Sequence, residues 1–212
     1  MFLGIAVLTI VFGFIPLAIF LLTRRDLSPE TFFMFPYILL VGVGGFFELL
    51  LTYFLKVDAT YLFSIYTLLE LPAIYYFFYK ALYPKLGKGF SVIFISLYVL
   101  IWIVDICKFS GIAVSQPFAT VYIILSVILL SIMWFRKVFI EFKIPILWKS
   151  TMFYFVSAIL LYYSGTFFLF LMAEVIIEAK DLFILDFWFI NITLSLLLKT
   201  ILTIAIWQGR MK

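Results

Sequence analysis

The sequence predicts an all-α polytopic membrane protein with seven transmembrane helices, its N-terminus outside and its C-terminus in the cytoplasm. Three observations predict it. The 212 residues are 67% hydrophobic and only 12% charged, with a mean hydropathy of +1.27; the surface of a soluble domain needs far more charge. The apolar runs are unbroken rather than alternating and long enough to span hydrocarbon as helices, which takes about 20 residues. The basic residues fall almost entirely on one side of those runs.

In chain order, helix 1 is expected from Phe2 to Thr23, closed by Arg24, Arg25 and Asp26. The stretch lacks a basic leader and a small-x-small cleavage site, so it reads as a membrane helix rather than a removable signal. Helix 2 runs from Thr31 to Leu55, helix 3 from Ala59 to Tyr79 and helix 4 from Phe90 to Phe109. Helix 5 covers Ala113 to Phe135, helix 6 Leu147 to Ala173, and helix 7 Leu182 to Trp207. The intervening loops are slight, so residues 1–212 form a single transmembrane domain with no soluble one.

With seven spans, one side holds Arg24, Arg25, Lys80, Lys85, Lys88, Arg136, Lys137, Lys143, Lys149, Arg210 and Lys212. The other holds Lys56, Lys108 and Lys180, and Lys199 lies within a span. The richer side is assigned to the cytoplasm. An even number of spans would mix the two sets. Trp134, Trp148 and Trp207 fall at cytoplasmic helix ends and Trp188 near an outer one, as an aromatic belt requires.

Composition also narrows the chemistry. The pI near 9.1 follows from the loop lysines and arginines, so no nucleic acid is expected as partner. Cys107 is the sole cysteine, which rules out an internal disulfide. Histidine is absent, removing the commonest metal ligand and general base. No metal site and no catalytic set is assigned. Nucleophile-elbow, phosphate-loop, His-Glu-x-x-His and Cys-x-x-Cys patterns are all missing.

Two charges lie deep in the predicted spans. Glu70 sits in Tyr66-Thr67-Leu68-Leu69-Glu70-Leu71-Pro72 of helix 3, and Lys199 in helix 7. At about 1.5 Å per residue both are roughly 12–13 Å from the cytoplasmic edge. Pro72 lacks an N–H and so frees the Leu68 carbonyl. A lysine at mid-membrane costs about 2.5–3.5 kcal/mol and therefore takes a partner. The simplest arrangement is an ion pair joining helices 3 and 7; the other is a ligand, proton or ion site.

Further candidates surround these two. Asn191, Ser195, Lys199 and Thr203 recur every fourth residue of helix 7 and share a face that turns inward. Glu48 is the deepest carboxylate of the outer half; Asp105 and Asp186 lie nearer helix ends, where solvation explains them. Gly42, Gly44 and Gly45 allow close helix packing. Tyr66 precedes Glu70 by one turn, and Tyr162, with Tyr163, Ser164 and Gly165, faces the same interior. The candidate ligand or ion-pair residues are thus Glu70, Lys199, Glu48, Asn191, Ser195, Tyr66 and Tyr162.

The stretches Ile65–Leu71, Phe153–Leu171 and Leu196–Trp207 resemble small seven-helix membrane proteins of Bacteroidota bacteria, some of which look like companions of sensor kinases. That resemblance implies a bacterial inner-membrane protein with a signalling role and a membrane partner such as a sensor kinase. The helix-7 lysine and helix-3 acid also give a likeness to microbial rhodopsins, which implies retinal on Lys199 as cofactor. The likeness stops there: position 195 is serine where those proteins carry a carboxylate, and their Arg-x-x-Asp-Trp and Trp-x-x-Tyr-Pro patterns are missing. The expected function is a receptor-like or accessory module that senses a small or lipidic ligand and acts through a partner. The alternatives are a small transporter or proton-coupled carrier using Glu48, Glu70 and Lys199, and a retinal-binding protein.

Overall fold

A computed structural model describes residues 2–48, 50, 51, 55, 60–82, 86–109, 117–141, 147–171 and 184–210, with side chains at 2–8, 48, 60–62, 108, 109, 171 and 184–188 set aside. Seven α-helices are present among the described residues: α1 (Phe2–Thr23), α2 (Phe35–Glu48), α3 (Thr60–Leu82), α4 (Lys88–Phe109), α5 (Pro117–Glu141), α6 (Thr151–Leu171) and α7 (Ile184–Gln208). Four of them contain stretches long and apolar enough to cross a membrane: Lys88–Cys107, Pro117–Glu141, Thr151–Phe170 and Phe189–Gln208. Val92, Ile93, Leu100, Leu129 and Ile132 are exposed on α4 and α5. So much outward apolar surface suits contact with lipid rather than water.

Several boundaries differ from expectation: α3 runs on to Leu82, α4 begins at Lys88, and α6 begins at Thr151 after a short 3₁₀ turn, Leu147–Lys149. Two further differences have clear reasons. A short 3₁₀ turn, Thr31–Met34, precedes α2, set by the Thr31 amide bonding back to the Ser28 carbonyl (3.0 Å). Helix α5 continues through Arg136 and Lys137 to Glu141. Lys137 reaches across and donates to the Ala81 carbonyl at the end of α3 (2.8 Å), where a helix terminus presents unpaired carbonyls and partial negative charge. A charge that a sequence reads as the end of a span here fastens two helix ends together.

The helices pack in a closed circuit, α1–α2–α3–α5–α6–α7 and back to α1, with α4 outside against α5 and α3. Helix α5 carries a buried stripe of Ile123, Val127, Leu130 and Trp134, at the spacing of one helix face. Trp134 is therefore a core residue, 3% exposed, and not part of an interfacial belt. Trp148 (70%) and Trp207 (58%) are exposed, as a belt requires; the side chain of Trp188 lies outside the described set.

Helix α4 is attached to α3 by polar atoms on aromatic rings. Trp102 Nε1 donates to the Ser64 carbonyl (3.1 Å), and the Tyr98 hydroxyl donates to the Thr67 carbonyl. Both acceptors lie one to two turns or slightly more before Pro72, and neither is the Leu68 carbonyl that the proline leaves without its helical donor. One turn further along α4 the Asp105 carboxylate is fully buried and accepts from the Ala119 amide (2.7 Å). It caps the first turn of α5 from a neighbouring helix, after Pro117 has set the helical φ. The expectation that Asp105 is merely solvated is thus corrected. The capping donor lies fourteen residues away, and only tertiary packing brings it close.

Small residues permit the close approaches. A Cβ on Gly42 would lie 2.6 Å from the Leu17 side chain, and one on Gly44 would lie 2.8 Å from the Tyr66 ring. The end of α7 is locked similarly. Gly209 lies against Thr31 and Thr151, and the Ser28 amide donates to the Gly209 carbonyl (2.8 Å). The α1–α2 connection, the start of α6 and the end of α7 therefore meet at one face of the bundle.

Candidate functional site

Glu70 lies on the inward face of α3, opposite exposed Leu69, Ile65 and Tyr76. Its Oε1 accepts a hydrogen bond from the Tyr163 hydroxyl of α6 (2.7 Å). Tyr163 is itself only 3% exposed, so this bond is made deep in the bundle. Tyr37 of α2, Tyr162 of α6 and Tyr98 of α4 lie near enough to feel the carboxylate's charge. One carboxylate is thus surrounded by phenols from three other helices.

Glu70 and Tyr162 are both half-buried. The second Glu70 oxygen takes no hydrogen bond among the described residues. Asn191 of α7 joins the same region, its Oδ1 3.5 Å from the Tyr162 hydroxyl.

Lys199 takes a different partner. Its amine donates to the Thr9 carbonyl of α1 (2.8 Å), and its stem lies along Gly13. A Cβ on Gly13 would stand 3.5 Å from the lysine Cε and 3.6 Å from Nζ, an ordinary van der Waals contact, so the lysine stem passes directly over this position. Helices α3 and α7 share no substantial contact in the helical circuit. The ion pair expected between Glu70 and Lys199 is not formed: each charge faces a different wall of the interior. The acid that a rhodopsin likeness would place at the lysine stands with Tyr163 instead.

The remaining candidates divide in the same way. Tyr66 packs its ring on Gly44 and is half-buried next to Glu70 on the α3 face. Ser195 is half-buried on the inward face of α7, between Asn191 and Lys199. Thr203 spends its hydroxyl on the Lys199 carbonyl of its own helix (2.8 Å). The side chains of Glu48 and Asp186 lie outside the described set. Tyr163 and Tyr37 were not among the leading sequence candidates. The adjacent pair Tyr162-Tyr163 was the one visible signal: two neighbours on a helix point about 100° apart, so both can face the interior only near a helix crossing.

No protein-family model, curated protein or solved structure matches the chain. Functional reasoning therefore rests on the site itself. Among the described residues no cluster of three or more His, Cys, Asp or Glu side chains is placed to hold a metal ion. What the site offers is one carboxylate, several phenols and an amide.

Proposed function

We propose that the chain is a receptor-like or accessory module of a bacterial inner membrane, crossing it seven times with the N-terminus outside, which binds a small or lipidic ligand beside Glu70 and signals through a membrane partner such as a sensor kinase. The observation that supports this most is the Glu70–Tyr163 bond, which spans α3 and α6 inside the bundle. A ligand that engages Glu70 competes for that bond. It thereby alters how two helices of the circuit are joined, and a partner on the outer faces can read the change. The concentration of arginine and lysine at one set of helix ends supports the orientation. Affinity capture of the full chain from native membranes tests the reading. A stable membrane partner is expected, with its capture or activity altered by Glu70→Gln. Recovery of no partner overturns it.

A second reading is a small proton-coupled carrier, favoured by a carboxylate placed deep in an apolar helix. Flux into liposomes that depends on Glu70 supports it, and flux indifferent to Glu70→Gln removes it.

A further inference from the structure

We infer that the corner where α1 ends, α6 begins and α7 ends binds the headgroup of an anionic phospholipid, with Arg24, Arg25, Lys149 and Arg210 as the basic groups that receive its phosphate. This surface is separate from the Glu70 centre and stands whether or not that centre takes a ligand. Backbone contacts bring the four residues to one place. Leu27 and Arg210 pair as an isolated antiparallel bridge, and the Ser28 amide donates to the Gly209 carbonyl (2.8 Å). Gly209 in turn lies against Thr31 and Thr151. Arg24 and Arg25 directly precede the first side of this joint, Lys149 directly precedes the second, and Arg210 is part of it. Arg24, Arg25 and Lys149 are exposed, and Arg210 is half-exposed.

Charge at the corner is unbalanced. Asp26 and Glu30 are the acids on the same segments, and among the described residues no carboxylate is paired with any of the four bases. The adjoining stretches 142–146 and 211–212 add Lys143 and Lys212 to the sequence and no acidic side chain. Arg210 is also pre-positioned: its guanidinium lies over the Trp207 ring, 3.1 Å from the centroid, and its Nε donates to the Trp207 carbonyl (3.4 Å). With Nε spent on its own backbone, the terminal nitrogens remain as a pair of donors, which a phosphate accepts in bidentate fashion.

The occupant is a lipid rather than a phosphate in solution because of the surface next to these bases. Leu21 and Leu22 lie one turn before Arg24 and Arg25 on α1, and Ile204 and Trp207 precede Arg210 on the neighbouring α7; all four are exposed, as is Trp148 beside Lys149. Basic groups above an outward apolar wall suit the charged head and the acyl chains of one molecule, and exposed tryptophans belong at that level of a bilayer.

The full chain in dodecylmaltoside micelles is titrated with phosphatidylglycerol, phosphatidylcholine or the water-soluble headgroup glycerophosphoglycerol, and bound ligand is counted by mass spectrometry of the intact complex. Phosphatidylglycerol is expected to bind more tightly than the other two, and Arg25→Gln combined with Arg210→Gln to weaken its first equivalent about tenfold. Lys88→Gln combined with Arg136→Gln removes the same charge from exposed positions on α4 and α5, and is expected to change the affinity by less than about twofold, because separated surface charges are screened. Equal affinity for the two lipids, an equal loss in the Lys88 and Arg136 pair, or full binding in the Arg25 and Arg210 pair overturns the inference. So does glycerophosphoglycerol bound as tightly as the lipid, which makes the surface a site for free phosphate esters. If the arginine variants lose their helical circular dichroism, the unaltered chain in phosphatidylcholine discs decides. Phosphatidylglycerol with brominated acyl chains is then expected to quench tryptophan fluorescence more than brominated phosphatidylcholine at the same mole fraction, and equal quenching overturns the inference.

Discussion

Two double-mutant cycles separate the contact that the structure shows from the one that charge and depth suggest. The first pairs Glu70→Met with Tyr163→Phe. The bond is 2.7 Å long, its donor is nearly fully buried, and its acceptor is a carboxylate. Side-chain hydrogen bonds inside membrane proteins average about 0.6 kcal/mol in such cycles and reach about 1.7 kcal/mol. A charged acceptor raises the value toward about 1.5–3 kcal/mol in soluble proteins, so a coupling of about 1.5 kcal/mol is expected. The second cycle pairs Glu70→Met with Lys199→Met. Lys199 donates to Thr9 and shares no described partner with Glu70, so these two effects should add within about 0.5 kcal/mol. Equilibrium unfolding of the purified chain by sodium dodecyl sulfate in mixed micelles measures both. A coupling above about 1 kcal/mol for the lysine pair, with additivity for the tyrosine pair, would refute the site as described.

Asp105→Ala removes the acceptor that caps α5 and leaves the Ala119 amide unpaired in a buried place. It should lower stability by about 1–3 kcal/mol, whereas Asp105→Asn keeps an acceptor and should cost clearly less; the same unfolding titration compares them. Trp134→Ala empties a core position and should cost about 3–5 kcal/mol, while exposed Trp148→Ala should stay within about 0.5 kcal/mol. Equal losses for the two tryptophans would contradict their assignment to core and surface.

The helical class was legible because lipid allows few solutions. Long apolar runs with no alternation must satisfy their own backbone, and helices follow. The glycines at 42 and 44 were legible for a similar reason: in hydrocarbon, small residues mark close approach, and Leu17 and Tyr66 occupy those notches. What a run of apolar letters does not encode is azimuth. Trp134 looked interfacial by its distance along α5, but its place on the Val127–Leu130 stripe turns it into the core. Asp105 looked solvated by its nearness to a helix end, yet α5 begins against it.

The Glu70–Lys199 pair failed as an expectation for a related reason, and it shows what a membrane bundle requires before two charges can meet. Equal depth is one condition, and the sequence supplies it through the rise per residue. Facing each other across the interior is another, and the rise per residue does not supply it. Helix α3 is flanked by α2 and α5, yet Glu70 reaches past them to Tyr163 on α6, whereas Lys199 turns to the Thr9 carbonyl of α1, a neighbour of α7. With Lys199 diverted to a carbonyl, the carboxylate across the interior must find its stabilisation elsewhere, and Tyr163 provides a hydrogen bond but no charge. That imbalance makes the Glu70 centre a candidate for binding: a carboxylate neutralised by a resident lysine would have had little further attraction for a ligand.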